Sequence, residues 1–306
     1  MTNRRLIIAH TIISLFAVLR PFSSHAEGVL INSDYTNSLQ MLSTLKASEK
    51  AIKTITADSI SMSCLSHPIQ THFVGVAHGL LIHSGIEKII AALDDFVGYK
   101  DLFEDIEAIE VIDMKTHEVG GNKYFKVHTE QNIPVPFMPN AHVTTDYFMT
   151  RLSPTLVVYR YQLAKDPKHP NKNDVLHADG VIVIERRTEK ETAFYEVDFL
   201  DPNLSGIASL GSSRIWPESV KGFALSDLAL RNFAEAKTVE NDITQQRQKA
   251  RKMARNQLEE KVIDKCLESK ISADTYLKGF SETKGVSNRV YLPPNTQAPL
   301  KTEPRL

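Results

Sequence analysis

The chain has 306 residues, with 36 lysines and arginines against 37 acidic residues, a formal net charge of −1 and 42% apolar residues. That near-balance of charge leaves no electrostatic footprint for nucleic acid, so a nucleic-acid partner is not expected. The apolar and charged contents are those of an ordinary globular protein.

The first residues point to export. Arg4 and Arg5 precede an apolar run, Leu6–Leu19, broken only by His10, Thr11 and Ser14, and Ser24-His25-Ala26 then offers small residues before a cut after Ala26. This is the layout of a secretory signal peptide over residues 1–26. The run falls short of the roughly 20 apolar residues that span a bilayer. The expected location is periplasmic or secreted, with a mature chain beginning near Glu27.

Residues 27–70 read as an N-terminal helical extension. Tyr35, Leu39, Leu42, Leu45, Ile52 and Ile55 recur at mostly helical intervals after Asn32-Ser33-Asp34, which can cap a helix from Asp34 to Ile55. A polar linker is expected over Thr56–Ser66. The chain's two cysteines are Cys64 in this segment and Cys266 near the other end. Export makes a disulfide between them permissible; two separate buried thiols are an equal alternative.

From about residue 71 to 236 the pattern is that of one α+β domain. A strand up to Ile82 leads to short helices at Ile86–Leu93 and Lys100–Phe103. Strand-like runs follow at Ile106–Met114, Lys123–Asn132, His142–Arg151, Thr155–Ala164, Val175–Arg187 and Thr192–Leu200. Gly120-Gly121-Asn122 and Ser153-Pro154 mark turns. Short connections favour an antiparallel meander. Pro217 is expected to open a long helix, with Trp216, Val220, Phe223, Leu230 and Phe233 on one arc and Leu225 and Leu228 on the opposite flank. The expected architecture is a helix grip: a curved antiparallel sheet of about seven strands closed by the long helix, with extra N- and C-terminal helices. One helix across a concave sheet leaves space for a ligand. Residues 237–282 read as a C-terminal helical extension in which Arg247–Arg255 is a solvated face, and the proline-bearing stretch 283–306 reads as a disordered tail.

Alternation nominates the ligand-lining residues, since side chains two apart on a strand share a face. On one strand Val157, Tyr159, Tyr161 and Leu163 oppose Val158, Arg160 and Gln162. On the last, Ala193, Tyr195, Val197 and Phe199 oppose Phe194, Glu196 and Asp198. Ile182 and Ile184 are chosen on the strand between, because Glu185 alternates against them. The helix contributes Val220, Phe223 and Leu230. Tyrosine hydroxyls would orient a ligand in such a pocket.

Catalytic and metal signals are sparse. No His-Glu-x-x-His, paired-cysteine spacing, Gly-x-Ser-x-Gly or phosphate-binding loop occurs, so neither a metal nor a cofactor is expected. His78 and His83 are five apart and point to opposite faces. For an acid or base on the cavity wall the nominees are His142, Asp146 and Tyr161.

Several local sequences resemble the START-like superfamily, which includes START lipid-binding domains and polyketide cyclase and aromatase-like proteins. The similar stretches run from about Gly79 to Ala236. Ile90–Tyr99 is similar to the family's first helix and its exit. Val135–Pro139 followed by Thr145-Asp146-Tyr147-Phe148 resembles a proline-rich bend leading to an Arg-Asp-aromatic strand, with Thr145 where the arginine would stand. Thr192, Tyr195, Val197, Asp201 and Pro202 resemble the last strand and its exit. The resemblance implies a hydrophobic pocket between sheet and closing helix. The first expectation is therefore an exported protein that binds a hydrophobic small molecule or lipid, gated by Leu204–Ser213 and the closing helix, with transient membrane contact. The second is a cyclase- or dehydratase-like enzyme with ionisable groups clustered at one end of the same cavity. The third is an interaction module with a filled interior, acting through its added helices.

Overall fold

The structure is a computed structural model. It describes residues 48, 50–55, 60–66, 74–116, 122–132, 140–165, 174–175, 177–201, 212–237 and 242–272. The expected signal peptide, the N-terminal helix before residue 48, the proline-rich bend, the greater part of the Leu204–Ser213 gate and the tail 283–306 lie outside the described residues. All described residues belong to one unit, Met41–Leu306.

A 3-10 turn at Ile52–Thr54 precedes β1 (Ser61–Ser66) and β2 (Val74–Ile82). Helix α1 (Ile86–Asp94) buries Ile86, Ile89, Ile90 and Leu93, spaced three and four apart, and leads through the turn Phe96–Gly98 into α2 (Tyr99–Leu102). Six strands follow: β3 (Ile106–Thr116), β4 (Lys123–Gln131), β5 (Ala141–Ser153), β6 (Leu156–Leu163), β7 (His177–Thr188) and β8 (Glu191–Asp201). The chain then forms α3 (Ser212–Glu235), α4 (Ile243–Gln257), α5 (Glu260–Glu268) and the two-residue β9 (Ile271–Ser272).

One sheet has the order β3-β4-β5-β6-β7-β8-β2-β1-β9, antiparallel throughout except for β9 beside β1. The meander from β3 to β8 arises because each connection is a turn or loop, and β2 completes the row by pairing β8 with Ala77 opposite Val197. Two of these nine strands lie outside the expected seven. Ser61–Ser66 is a strand, not a linker: its serines alternate with Met62 and Cys64, and Met62, Cys64 and Leu65 are all fully enclosed. Cys64 points toward α5, and Ser63 is buried on the other face of the strand. Cys64 and Cys266 are joined in a disulfide with Cα atoms 5.2 Å apart, which leaves no free thiol. It anchors α5 to β1, and β9 follows at once, with Ser66 Oγ donating to the Ile271 carbonyl at 3.3 Å.

Helix α3 lies across the concave face and begins five residues before Pro217. The proline sits in the second turn, where its missing N–H releases only the carbonyl four residues back. Beneath the helix the core gathers Leu80, Ile82, Phe125, Met149, Val157 and Phe194, each such side chain contributing about 1.5–3 kcal/mol on burial.

Both extensions are built into the domain. Ala51, Ile52 and Ile55 are buried, and Arg187 Nη2 donates to the Ile52 carbonyl at 2.6 Å, so the N-terminal turn covers the convex side of β7 and β8. One side of the basic stretch of α4 is a clamp, while Lys249 and Lys252 stay exposed. Arg247, Arg251 and Arg255, four apart on one helix side, reach the segment around α2: Arg247 pairs with Asp95, Arg251 donates to the Lys100 carbonyl at 3.0 Å, and Arg255 meets Glu104 at 2.6 Å. No helix among the described residues is long and apolar enough to cross a membrane.

Candidate ligand cavity

Between the concave sheet face and α3 lies a cavity of about 400 Å³. Its apolar wall comes from Leu93, Phe96, Tyr99 and Phe103 of the α1–α2 segment, Ile106 and Ile109 of β3, and Phe223 and Leu230 of α3. The exposed lining residues Glu104, Asn132 and Lys221 mark its mouth.

The inner wall is ionisable. Phe194, Glu196 and Asp198 of β8 line the cavity, and His78 of β2 stands directly opposite Glu196 in the ladder. His78 Nε2 lies 2.8 Å from Asp198 Oδ2, and Nδ1 lies 2.9 Å from Asp227 Oδ2 on α3. Both His78 and Asp227 are almost wholly enclosed, with side-chain exposures of 1% and 2%. A neutral imidazole has one N–H to give, so satisfying two carboxylates favours the imidazolium. Burial alone would lower the His78 pKa; the Asp227 charge and the hydrogen bonds to Asp198 and Asp227 outweigh it and hold the value well above the usual one. The Phe223 ring stacks on the imidazole at 5.2 Å.

Glu196 is the second perturbed group. Burial raises its pKa to about 7, the Asp227 charge adds to that, and the His78 charge opposes it. Tyr161 Oη donates to Glu196 Oε1 at 3.3 Å. The tyrosine reaches there by lying over Gly180, its partner on β7, where any side chain would overlap the phenol. Tyr147 lies between Phe96 and Tyr161, tilted to both, with centroids 4.9 and 5.3 Å away. Burial also raises the pKa of Asp198, against its hydrogen bond to His78. The wall thus holds a proton donor, a carboxyl that exchanges protons near neutrality and two phenols. One ligand atom each from His78, Glu196 and Asp198 lies within 4.8 Å of the others, close enough for the three to share a cation.

The expected residues divide. Val157, Tyr159, Tyr161, Ile182 and Ile184 share the concave face; Tyr161 and Ile182 reach the cavity, while Val157, Tyr159 and Ile184 pack in the core beside it. Tyr159 Oη donates to Asp94 Oδ1 at 2.7 Å. Leu163 lies at the end of that face, half-buried and away from the cavity wall. Phe223 and Leu230 line the cavity, whereas Val220 is buried in the core.

The phase of β8 is the reverse of the expected one. Ala193, Tyr195 and Val197 occupy the opposite face and are buried there, on the side that the N-terminal turn covers. Phe199 follows their alternation but borders the cavity near the strand end. The reason is that both faces of β8 are buried, so acidic residues do not mark the solvent side. His142 and Asp146 are likewise on the outer face of β5, because Val143, Thr145 and Tyr147 point inward. His142 stacks on His128 at 5.6 Å, and Asp146 accepts from Tyr124 and Lys126, each at 2.8 Å. Of the three nominated acid–base residues only Tyr161 meets the cavity.

His78, Glu196, Asp198 and Asp227 were not nominated. A signal for Asp227 exists: it falls four residues after Phe223 and three before Leu230, an acid inside an apolar arc.

No protein-family model matches the chain, and no curated protein matches it. Solved structures do. A STAR-related lipid transfer protein from Xanthomonas axonopodis aligns at 13% identity and a TM-score of 0.45, over 57% of this chain and 96% of that one. Human StAR-related lipid transfer protein 5 aligns at 12% and 0.44, over 63% and 99%. The Zhui aromatase/cyclase from Streptomyces sp. R1128 aligns at 17% and 0.38, over 54% and 94%. The meander of strands, the helix across its concave face and the space between them are all present in this chain. The fold is a helix grip, an antiparallel sheet closed by one long helix. Two extensions are fastened to this helix grip, one on the convex side and one over α2.

Proposed function

We propose that this chain is an exported binding protein that holds a hydrophobic small molecule or lipid between the sheet and α3, for transport or sequestration. The observation that carries the reading is the cavity itself. Its volume, about 400 Å³, falls in the range of small-molecule sites, and a mostly apolar wall with a few convergent polar groups is the make-up of such sites. Export is supported by the N-terminal pattern of residues 1–26 and is compatible with the Cys64–Cys266 bond, since disulfides persist in oxidising compartments.

A second reading has a specific observation behind it. His78, Glu196 and Asp198 provide groups with shifted pKa values at one end of the cavity, as an acid–base enzyme of the cyclase or dehydratase kind would require. The interaction-module reading fares less well, because it calls for a filled interior. Among the described residues the exposed large apolar side chains are Val97, Met114 and Ile243, one of them on α4.

Native mass spectrometry of the protein purified from its own compartment, followed by solvent extraction, tests the binding reading. An intact apolar molecule released from the protein supports it. A bare protein mass that no lipid, sterol or aromatic probe shifts removes it. A probe recovered in altered form moves the weight to the enzyme.

A further inference from the structure

The charge of the cavity is lopsided. Glu104, Asp105, Glu196, Asp198, Glu218 and Asp227 all line it, whereas only His78 and Lys221 bring positive charge. Two of the acids are answered at the mouth, Glu104 by Arg255 at 2.6 Å and Glu218 by Lys221 at 3.9 Å. At the inner end, His78 answers both Asp198 and Asp227. Glu196 is held by the Tyr161 hydroxyl and by no lysine or arginine among the described residues. Glu196 shares the single His78 charge with Asp198 and Asp227, and a wall with three carboxylates against one imidazolium gains by admitting a further cation. The Tyr147 and Tyr161 rings stand beside this group, and aromatic faces favour a cation as well.

Taking the cavity as a ligand site, as above, we infer that it is built for an apolar molecule carrying a protonated amine at its inner end, the ammonium donating to Glu196 and Asp198. The apolar body lies against Phe96, Tyr99 and Phe223. A ligand carboxylate would add negative charge to a wall already rich in it. A bare metal ion competes for the same donors, since His78, Glu196 and Asp198 are close enough to share one. Both ring nitrogens of His78 already face carboxylate oxygens at 2.8 and 2.9 Å, so a metal must first displace a ring proton. An ammonium uses carboxylate lone pairs and leaves that proton in place.

Titration calorimetry on the purified protein at pH 8, with dodecylamine, dodecanol and dodecanoate below their micellar range, tests this. The amine is expected to bind about tenfold more tightly than the alcohol, the scale of one hydrogen bond gaining charge, and dodecanoate the most weakly. In Glu196→Gln the amine-to-alcohol ratio falls to about one. Equal affinity for amine and alcohol in the unaltered protein, or a preference for dodecanoate, overturns the inference and leaves the cavity reading standing. Failure of all three probes to bind removes both. Tight binding of zinc alone that is lost in His78→Ala, with no preference for the amine, assigns the wall to a metal and overturns the inference too.

Discussion

Glu196→Gln has a stability consequence that can be worked from its surroundings. Burial raises the Glu196 pKa from 4.5 to about 7. Below pH 4.5 the carboxyl is protonated in both the folded and unfolded chains and has no effect on stability. Between 4.5 and 7 the folded chain keeps a proton that the unfolded chain has lost, so stability falls as pH rises. Above 7 both are ionised and the full penalty is in place. At 1.36 kcal/mol per pKa unit the penalty is about 3 kcal/mol. The groups facing Glu196 are His78 on β2, Asp198 on its own strand, Asp227 on α3, Tyr99 on α2, and Tyr147 and Tyr161 on β5 and β6. His78, raised in its own pKa, contributes stability below 6.5 that is lost as pH rises through its higher folded value, which adds to the decline at the alkaline end. Glutamine keeps the shape and removes only the Glu196 part. Urea unfolding from pH 5 to 8 should therefore show the variant close to the parent at pH 5 and about 2–3 kcal/mol more stable at pH 8, after about 1 kcal/mol is allowed for a weaker Tyr161 hydrogen bond. A variant that follows the parent across the whole range, or is less stable at pH 8, refutes the reasoning.

Other outcomes follow from other parts of the molecule. The Cys64–Cys266 bond spans 202 positions, and the chain-entropy model gives about 5 kcal/mol for a closure of that length; Cys64→Ser should lower the thermal midpoint by the amount that reduction lowers it in the parent, and a loss below about 1 kcal/mol contradicts the estimate. Arg251→Ala with Arg255→Ala should cost no more than about 1 kcal/mol per contact, because these contacts are exposed. It should nonetheless speed hydrogen exchange in residues 99–105 and the release of a bound probe; unchanged exchange there would rule out the clamp. Gly180→Ala puts a methyl group where the Tyr161 hydroxyl lies, with an overpacking cost of about 1–3 kcal/mol seen by urea unfolding, and a neutral result means the phenol has another place to go.

The elements that could be read from the sequence are those whose burial is one-sided or whose punctuation is strong. Strands β2 to β8 and helix α3 announce themselves through alternation, turn residues and an apolar arc, and the helix-grip order follows from them. What could not be read is which face serves which purpose where both are buried, as in β8, or the strand itself where small polar residues stand inside it, as in β1. In Ser61–Ser66 the serines look like solvent-facing residues, but both faces of β1 are enclosed: Ser63 and Leu65 are buried on one, Met62 and Cys64 on the other. Arg247, Arg251 and Arg255 look like a solvated stripe because their partners, Asp95, the Lys100 carbonyl and Glu104, lie about 150 residues earlier in the chain; spacing within a helix says nothing of a partner that distant.

The inner wall of the cavity defeats pattern reading for the same physical reason. Alternation identifies two sets of residues on β8 but not which set faces the ligand, and the usual arbiter is charge, because a charge normally lies outward. Glu196 and Asp198 reverse that rule since their counter-charges arrive from elsewhere: His78 from the paired strand and, through it, Asp227 from α3. Each of the three acids is a violation of local burial logic when taken alone. Only assembly of the sheet under the helix makes them consistent, and buried groups kept at such a cost concentrate where binding or proton transfer takes place. The misassigned face of β8 and the candidate site are therefore one feature, and Asp227, an acid within the apolar arc from Phe223 to Leu230, is the place where the sequence already records it.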